Sequence, residues 1–284
     1  MSVSSLRYCL DGRWLSPGEP AFASSSSLVS SGEGWFETLR VESGRPMFLR
    51  QHLERLSGSV SRFHGTDQAK CALRAAERGL DAMSSTLSEY PTGRLRLIVA
   101  RDLARVDHDT GGWQALGEWS EHLSSAASLE YGLDVIIASS AHPGLGSLGK
   151  SVSYHWSLVA RQEALARGAS EALLVRDGQI MEGATGAIAW RSKGRWFVHE
   201  SSDVLKSVTL DALRRAGLPL ESGSLPVSAL DPDSPGRVEG LMLISALRLA
   251  MAIRSCDGRT VPTDVAEAAR WRRALLELHA KEIP

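Results

Sequence analysis

Apolar residues in this chain recur with two different spacings, and the spacings trade places along it. RYCLDGRWL is two short runs around Asp11-Gly12, residues that tolerate the positive φ of a tight hairpin turn. WFETLRVESGRPMFL repeats the arrangement with Ser43-Gly44 at its turn. AFASSSSLVSSGEGW, between them, is small and polar and reads as a loop. From Gln51 the spacing becomes helical through Leu53, Leu56, Val60 and Phe63, and residues 67 to 88 read as another helix. GRLRLIVAR then alternates Leu95, Leu97 and Val99 against arginines, as a strand does.

Residues 102 to 131 keep neither period, and Gly111 and Gly112 stand side by side within them. Such a stretch reads as a functional loop or a linker. The expected organisation is an N-terminal α/β domain over 1–107, an inter-domain loop over 108–131 and a second domain over 132–284. In the second domain LDVIIASSA is a strand, and residues 154 to 167 form a helix with Leu158, Val159, Ala164 and Leu165 near one face. EALLV and QIME are strands around an Asp177-Gly178 turn, and GAIAWRSKGRWFVH is a further hairpin. SVTLDALRRAGL is a helix with Thr209 near its start and Gly217 at its end. GLMLISA and LAMAIRSCDG are strands, and residues 263 to 280 form a closing helix. The order is mixed α/β with antiparallel hairpins and no fixed-period repeat.

The bulk numbers narrow the function classes. The chain has 284 residues, 43% hydrophobic and 23% charged, which suits a water-soluble globular protein. A formal net charge of −1 builds no field for nucleic acid or an acidic membrane. Cys9, Cys71 and Cys256 lack metal-site spacing, and their odd number fits a reducing cytoplasm. The N-terminus has no signal-peptide pattern, and no apolar run is long enough to span a membrane.

Four places carry possible chemistry. Lys150, between GLGSLG and SVSYHW, would be partly enclosed, and an enclosed amine loses proton affinity and can form a Schiff base with an aldehyde. Glu182 ends a strand and enters GATG, whose small residues let the backbone approach a ligand. A carboxylate there would keep a pyridine nitrogen protonated. Arg55 in HLERLSGS suits a phosphate, and Val208 and Thr209 at a helix head would add N–H groups and a hydroxyl. Each has an ordinary alternative: a surface lysine, a strand-end glutamate, a solvated arginine, a helix cap.

Taken in order, GEGWFETLR…HLERL, GKSVSY, GASEALLVRDGQIMEGATGAI and SVTLDAL resemble the successive motifs of the class IV aminotransferases, fold type IV enzymes that use pyridoxal phosphate (PLP). The similarity runs from about residue 6 to about residue 258. The resemblance implies a two-domain fold with PLP at the domain interface and a homodimer. It implies that Lys150 binds PLP covalently and moves the proton, and that Glu182 binds the ring nitrogen. Arg55, Val208 and Thr209 would hold the phosphate, Tyr154 would stand near the ring hydroxyl, and Ser245 and Ala246 would form a turn beside phosphate and substrate. Thr38 would lie at the site mouth.

The chain departs from the family pattern in several places. The loop before GEG is SSSSLVSS, Ala187 stands for a frequent asparagine, Ser207 for a glycine, and Arg248 and Leu249 for small residues. Arg101, Arg105 and His108 are candidates for a substrate carboxylate, with a solvated loop as the alternative. The family holds branched-chain and D-amino-acid aminotransferases and 4-amino-4-deoxychorismate lyases. The FET–HLERL–Lys–Glu frame, with no branched-chain arginine and tyrosine signature, favours the lyase over an amino-acid transaminase. A non-catalytic binding homologue is the third possibility, and the intact Lys150 and Glu182 speak against it.

Overall fold

The computed structural model describes residues 6–89, 92–105, 108–121 and 126–282. The chain divides into two compact units: Met1–Leu123 with Leu148–Tyr154, and Ser124–Ser147 with His155–Pro284. The first unit therefore includes a short segment, holding Lys150, that returns to it after the second has begun.

The first unit comprises β1 (Arg7–Leu10), β2 (Arg13–Trp14), α1 (Ser27–Ser31), β3 (Trp35–Glu42), β4 (Arg45–Pro46), α2 (Leu49–Ser88), β5 (Thr92–Arg101) and β6 (Trp113–Glu121). The strands form one antiparallel sheet in the order β2-β1-β6-β5-β3-β4. Both hairpins turn where the sequence places them, with Asp11 at φ 49° and Gly12 at 89°, and Ser43 at 51° and Gly44 at 74°. Leu39, Val41, Leu95, Leu97, Val99, Ala115 and Trp119 share a core with Leu56, Val60, Ala72, Ala76 and Met83 of α2. Alanines along α2 let the helix lie close to the sheet. The two expected helices meet end to end in α2 and are separated by a kink at Gly65, φ 80° and ψ 168°. Phe63, beside that kink, is half exposed rather than core.

Two expectations fail here. The inter-domain loop expected over 108–131 contains β6, which pairs with β5 along nine positions and with β1 along four. Its first five residues are all buried, so no alternation betrays it in the sequence. The polar loop before Trp35 contains α1, capped by the Ser26 hydroxyl and closed by Gly32 at φ 65°.

The second unit comprises α3 (Ala126–Tyr131), β7 (Leu133–Ile137), α4 (His155–Ala166), β8 (Glu171–Arg176), β9 (Gln179–Gly183), β10 (Ala187–Ser192), β11 (Arg195–Val198), α5 (Val208–Arg215), β12 (Leu220–Ser222), β13 (Leu225–Pro226), β14 (Gly240–Ser245), β15 (Leu249–Cys256), β16 (Arg259–Thr260) and α6 (Val265–Lys281). Its mixed sheet runs β12-β11-β10-β14-β15-β7-β8-β9-β13, with β16 beside β15. Leu173, Ile188, Leu241, Leu243, Met251 and Ile253 lie in its core. α4 packs through Ala160, Ala164 and the partly buried Trp156. Leu158, Val159 and Leu165 stay exposed at 43%, 44% and 51%, against the single apolar face expected.

Candidate active site

The segment bearing Lys150 is stitched to the start of β3. Phe36 N–H donates to the Lys150 carbonyl at 2.8 Å, and Val152 N–H donates to the Gly34 carbonyl at 3.0 Å. Gly149, at φ 77°, makes this approach possible, because a Cβ there would come within 2.1 Å of Ser59 Oγ on α2. The backbone thus fixes Lys150 beside Phe36, and its Nζ lies 4.7 Å from the ring centroid. The Tyr154 ring stands 4.8 Å from that of Phe36. Arg96 on β5 completes the group, its Cζ 4.3 Å from the Phe36 centroid and 5.6 Å from that of Tyr154. Thr38 lies opposite Arg96 in the β3–β5 register, on the same sheet face as Phe36.

Alternation puts Glu37 on the other face, toward α2, where it is completely buried. Arg55 grips it with two N–H donors, Nε to Oε1 at 2.8 Å and Nη2 to Oε2 at 2.5 Å. His52 Nδ1 lies 2.7 Å from Oε2. Burial pushes the Glu37 carboxyl up, but the Arg55 charge and the hydrogen bonds from Arg55 and His52 outweigh it and hold the group at about 2. Burial lowers the proton affinity of His52, and the charges of Arg55 and Lys150 lower it further against the pull of Glu37. His52 is therefore a neutral donor to a carboxylate, and Arg55 is a clamped guanidinium.

In the second unit Glu182 stands on β9 directly after a bulge. Leu174 pairs with Glu182 and Val175 with Ile180, so Met181 is the extra residue. Bulges of this kind re-aim a neighbouring side chain. Glu182 Oε1 lies 2.8 Å from His142 Nε2. Oε2 has no hydrogen-bond partner among the described residues, although the side chain is only 18% exposed. The GATG loop beyond it rests on the end of β14: a Cβ on Gly186 would come within 2.5 Å of the Ile244 carbonyl and 2.9 Å of Ser245 Cβ. The Ser245 hydroxyl accepts the Arg248 N–H at 3.3 Å and closes the turn that holds Ala246. The Arg248 side chain points back to Glu171 Oε2 at 3.5 Å and the Ser170 carbonyl at 3.4 Å. Ser207 caps α5 by accepting the Leu210 N–H at 3.2 Å, a purpose for the residue standing where a glycine is usual. Val208 and Thr209 are buried in the first turn, where N–H groups have no acceptor within the helix.

The first unit therefore brings together Lys150 and Tyr154 and holds Arg55 and Thr38. The second holds Glu182, Val208, Thr209, Ser245 and Ala246. The loop candidates fare differently. Arg101 Nε donates to the Gly111 carbonyl at 3.3 Å, Arg105 pairs with Asp11 at 3.6 Å, and His108 is exposed. None of these contacts is to Phe36, Tyr154 or Arg96. Sequence reasoning passed over Arg96, Glu37, His52 and His142. Arg96 has no ion-pair partner among the described residues, and its Nε is buried without a hydrogen bond. Its signal was one arginine placed among the alternating residues of a strand.

Residues 34–256 match the amino-transferase class IV family, so the chain belongs to that family. Class IV aminotransferases use PLP. The chain is 28% identical to a bifunctional aminodeoxychorismate lyase / D-amino acid transaminase of Mycobacterium tuberculosis, over 91% of this chain and 94% of the relative. Two solved structures share the fold. One is a fold IV transaminase from Curtobacterium pusillum, TM-score 0.75, 22% identical, covering 98% of this chain and 99% of its own. The other is a PLP-bound hypothetical aminotransferase from Mycobacterium tuberculosis, TM-score 0.77, 20% identical, covering 98% and 99%. Among the described residues no helix is long and apolar enough to cross a membrane, and no group of side chains is arranged to hold a metal ion.

Proposed function

We infer that this PLP-dependent enzyme is a lyase that splits 4-amino-4-deoxychorismate into 4-aminobenzoate and pyruvate. The observation that carries a carboxylate-bearing substrate is Arg96: a guanidinium without an anionic partner among the described residues, stacked on the ring that also faces Lys150. An arginine half enclosed by aromatic rings is suited to a carboxylate. The named activities of the bifunctional relative support the reaction.

The side chains fit the cofactor. Glu182 Oε2 has no hydrogen-bond partner among the described residues, as suits a carboxylate oxygen facing a ring nitrogen. The capped first turn of α5 offers N–H groups suited to a phosphate. Lys150 would hold the cofactor through its amine, Tyr154 would neighbour the ring hydroxyl, and Ser245 and Ala246 would border the phosphate and substrate. Arg55, Val208 and Thr209 would hold the phosphate. When bound, PLP supplies a carbonyl for the substrate amine and a ring that accepts electrons as a substrate bond breaks.

The protein's own contribution is to place charges and protons. Glu182 keeps the ring nitrogen protonated. Arg96 orients the substrate carboxylate on the Phe36 side of the sheet. Lys150 removes the proton from the substrate ring and returns one as pyruvate leaves. Thr38, opposite Arg96, relays a proton at the site mouth. The chain would work as a homodimer in the cytoplasm.

An amino-acid transaminase is the second reading, and its D-amino-acid form is favoured by the other half of the relative's name. The two part on one experiment. The protein is mixed with 4-amino-4-deoxychorismate, and separately with L- and D-amino acids, without any keto acid. Many turnovers of 4-aminobenzoate and pyruvate are expected. One equivalent of keto acid from an amino acid followed by a stall, with no 4-aminobenzoate, would establish the transaminase.

A further inference from the structure

We propose that His142 is a positioning residue for Glu182, and that it acts as a neutral donor which aims the carboxylate without taking up its charge. The proposal rests on the reading of Glu182 as the partner of the cofactor's ring nitrogen.

The geometry begins with the backbone. β7 is followed by a stretch that stays hydrogen-bonded to β8: Ala138 N–H donates to Leu173 O at 2.9 Å, and His142 N–H donates to Val175 O at 2.8 Å. This fixes the His142 Cα at the end of β8, the strand that pairs with β9. The side chain, 1% exposed, reaches across that end to Glu182. The turn then doubles back, with Gly144 at φ 71°, so that Gly144 N–H donates to His142 Nδ1 at 3.0 Å. The positive φ of Gly144 is one that L side chains rarely adopt, so the turn needs glycine for its conformation.

That N–H decides the protonation of the ring. A nitrogen accepting a hydrogen bond carries no proton, so Nδ1 is bare and the proton sits on Nε2. Nε2–H then donates to Glu182 Oε1 at 2.8 Å. His142 is thus a neutral imidazole locked in one tautomer by a backbone amide. A cation in its place would pair with Glu182 and weaken the hold of the carboxylate on any other positive group. A neutral donor fixes one oxygen, leaves the charge, and turns Oε2 toward whatever the site binds. The bulge at Met181 sets the direction of Glu182 from the backbone side, and His142 sets it from the side-chain side.

Two variants separate orientation from mere packing. His142→Gln places an amide N–H where Nε2 stands and reaches Glu182. His142→Asn keeps a polar group near Nδ1 but falls short of Glu182. Both are loaded with PLP carrying an isotope label at its ring nitrogen, and the nitrogen signal is followed by NMR alongside cofactor affinity and apoprotein melting. In the unsubstituted protein the ring nitrogen should be protonated. His142→Asn should shift the signal toward the neutral form and weaken PLP binding about tenfold, as for loss of a charge-assisted hydrogen bond. His142→Gln should return most of both. Identical nitrogen signals in all three proteins, or Asn and Gln behaving alike, would overturn the proposal even if melting changed. An unsubstituted protein that binds PLP with a neutral ring nitrogen, or that binds none, would overturn the reading of Glu182 and the proposal together.

Discussion

Replacing Glu37 by glutamine tests how the buried electrostatics of the first unit are arranged. The amide keeps the volume and can still accept from His52, but it leaves the Arg55 guanidinium, 14% exposed, without its countercharge. Glu37 is held at about 2 against an ordinary 4.5, a separation of about 2.5 on the pH scale. At about 1.36 kcal/mol for each step of one, the carboxylate contributes roughly 3 kcal/mol at neutral pH. Breaking a buried ion pair by removing one member costs about 3–5 kcal/mol, a consistent figure. Because the folded-state value is depressed, this contribution is fully present above the unfolded value near 4.5. It is lost as the pH falls from there through about 2. Glu37 raises the proton affinity of His52, so in the variant His52 falls further below its ordinary value, and making the comparison in a His52→Gln background removes that titration from the difference. Urea unfolding read by hydrogen exchange in β3 peptides, at several pH values, measures the gap. We expect roughly 3 kcal/mol near pH 7, closing on acidification. A loss below about 1 kcal/mol at pH 7, or a gap that survives undiminished in acid, would refute the reasoning.

Arg96→Ala should lower kcat/KM by about tenfold to a hundredfold for carboxylate substrates, since a hydrogen bond to a charged group is worth about 1.5–3 kcal/mol. Melting of this variant should stay near that of the parent, because no ion pair is broken; a large drop in melting with unchanged kinetics would assign Arg96 to the fold instead. Gly93→Ala should destabilise the first unit by about 1–3 kcal/mol in urea unfolding, through overpacking against Trp119. The added Cβ would come within 1.7 Å of that ring, and full stability would show that the indole moves freely aside.

Local physics made much of this fold legible. The turns at Asp11-Gly12, Ser43-Gly44 and Asp177-Gly178 follow from which residues accept positive φ, and the structure has all three. β5 follows from its alternation, because one of its faces is core and the other is not. β6 was hidden for the opposite reason: WQALG is buried on both faces and follows a pair of glycines, so it carries no period. α4 misled because its spacing marks an apolar stripe without saying which residues the sheet admits. The sheet admits the small Ala160 and Ala164 with part of Trp156, and leaves Leu158, Val159 and Leu165 outside. At the candidate site, the order of motifs is what proposes Lys150 and Glu182. It does not propose the residues that support them. His142 and Glu182 are 40 residues apart and Glu37 and Arg55 are 18 apart. These pairs meet only once strand register and helix placement are fixed. No composition or spacing rule announces a tautomer set by a glycine N–H.

The measurement that bears most directly on the whole account is the position of the cofactor's attachment. The protein, loaded with PLP, is reduced with borohydride, digested and mapped by mass spectrometry. The chain offers Lys70, Lys150, Lys193, Lys206 and Lys281. Of these, Lys150 alone is anchored beside Phe36 by the backbone bonds that Gly149 permits. Borohydride should bleach the visible band and leave a phosphopyridoxyl group on the Lys150 peptide, lost in Lys150→Ala. A label on any other lysine, or no label in protein that retains its PLP, would contradict attachment at Lys150.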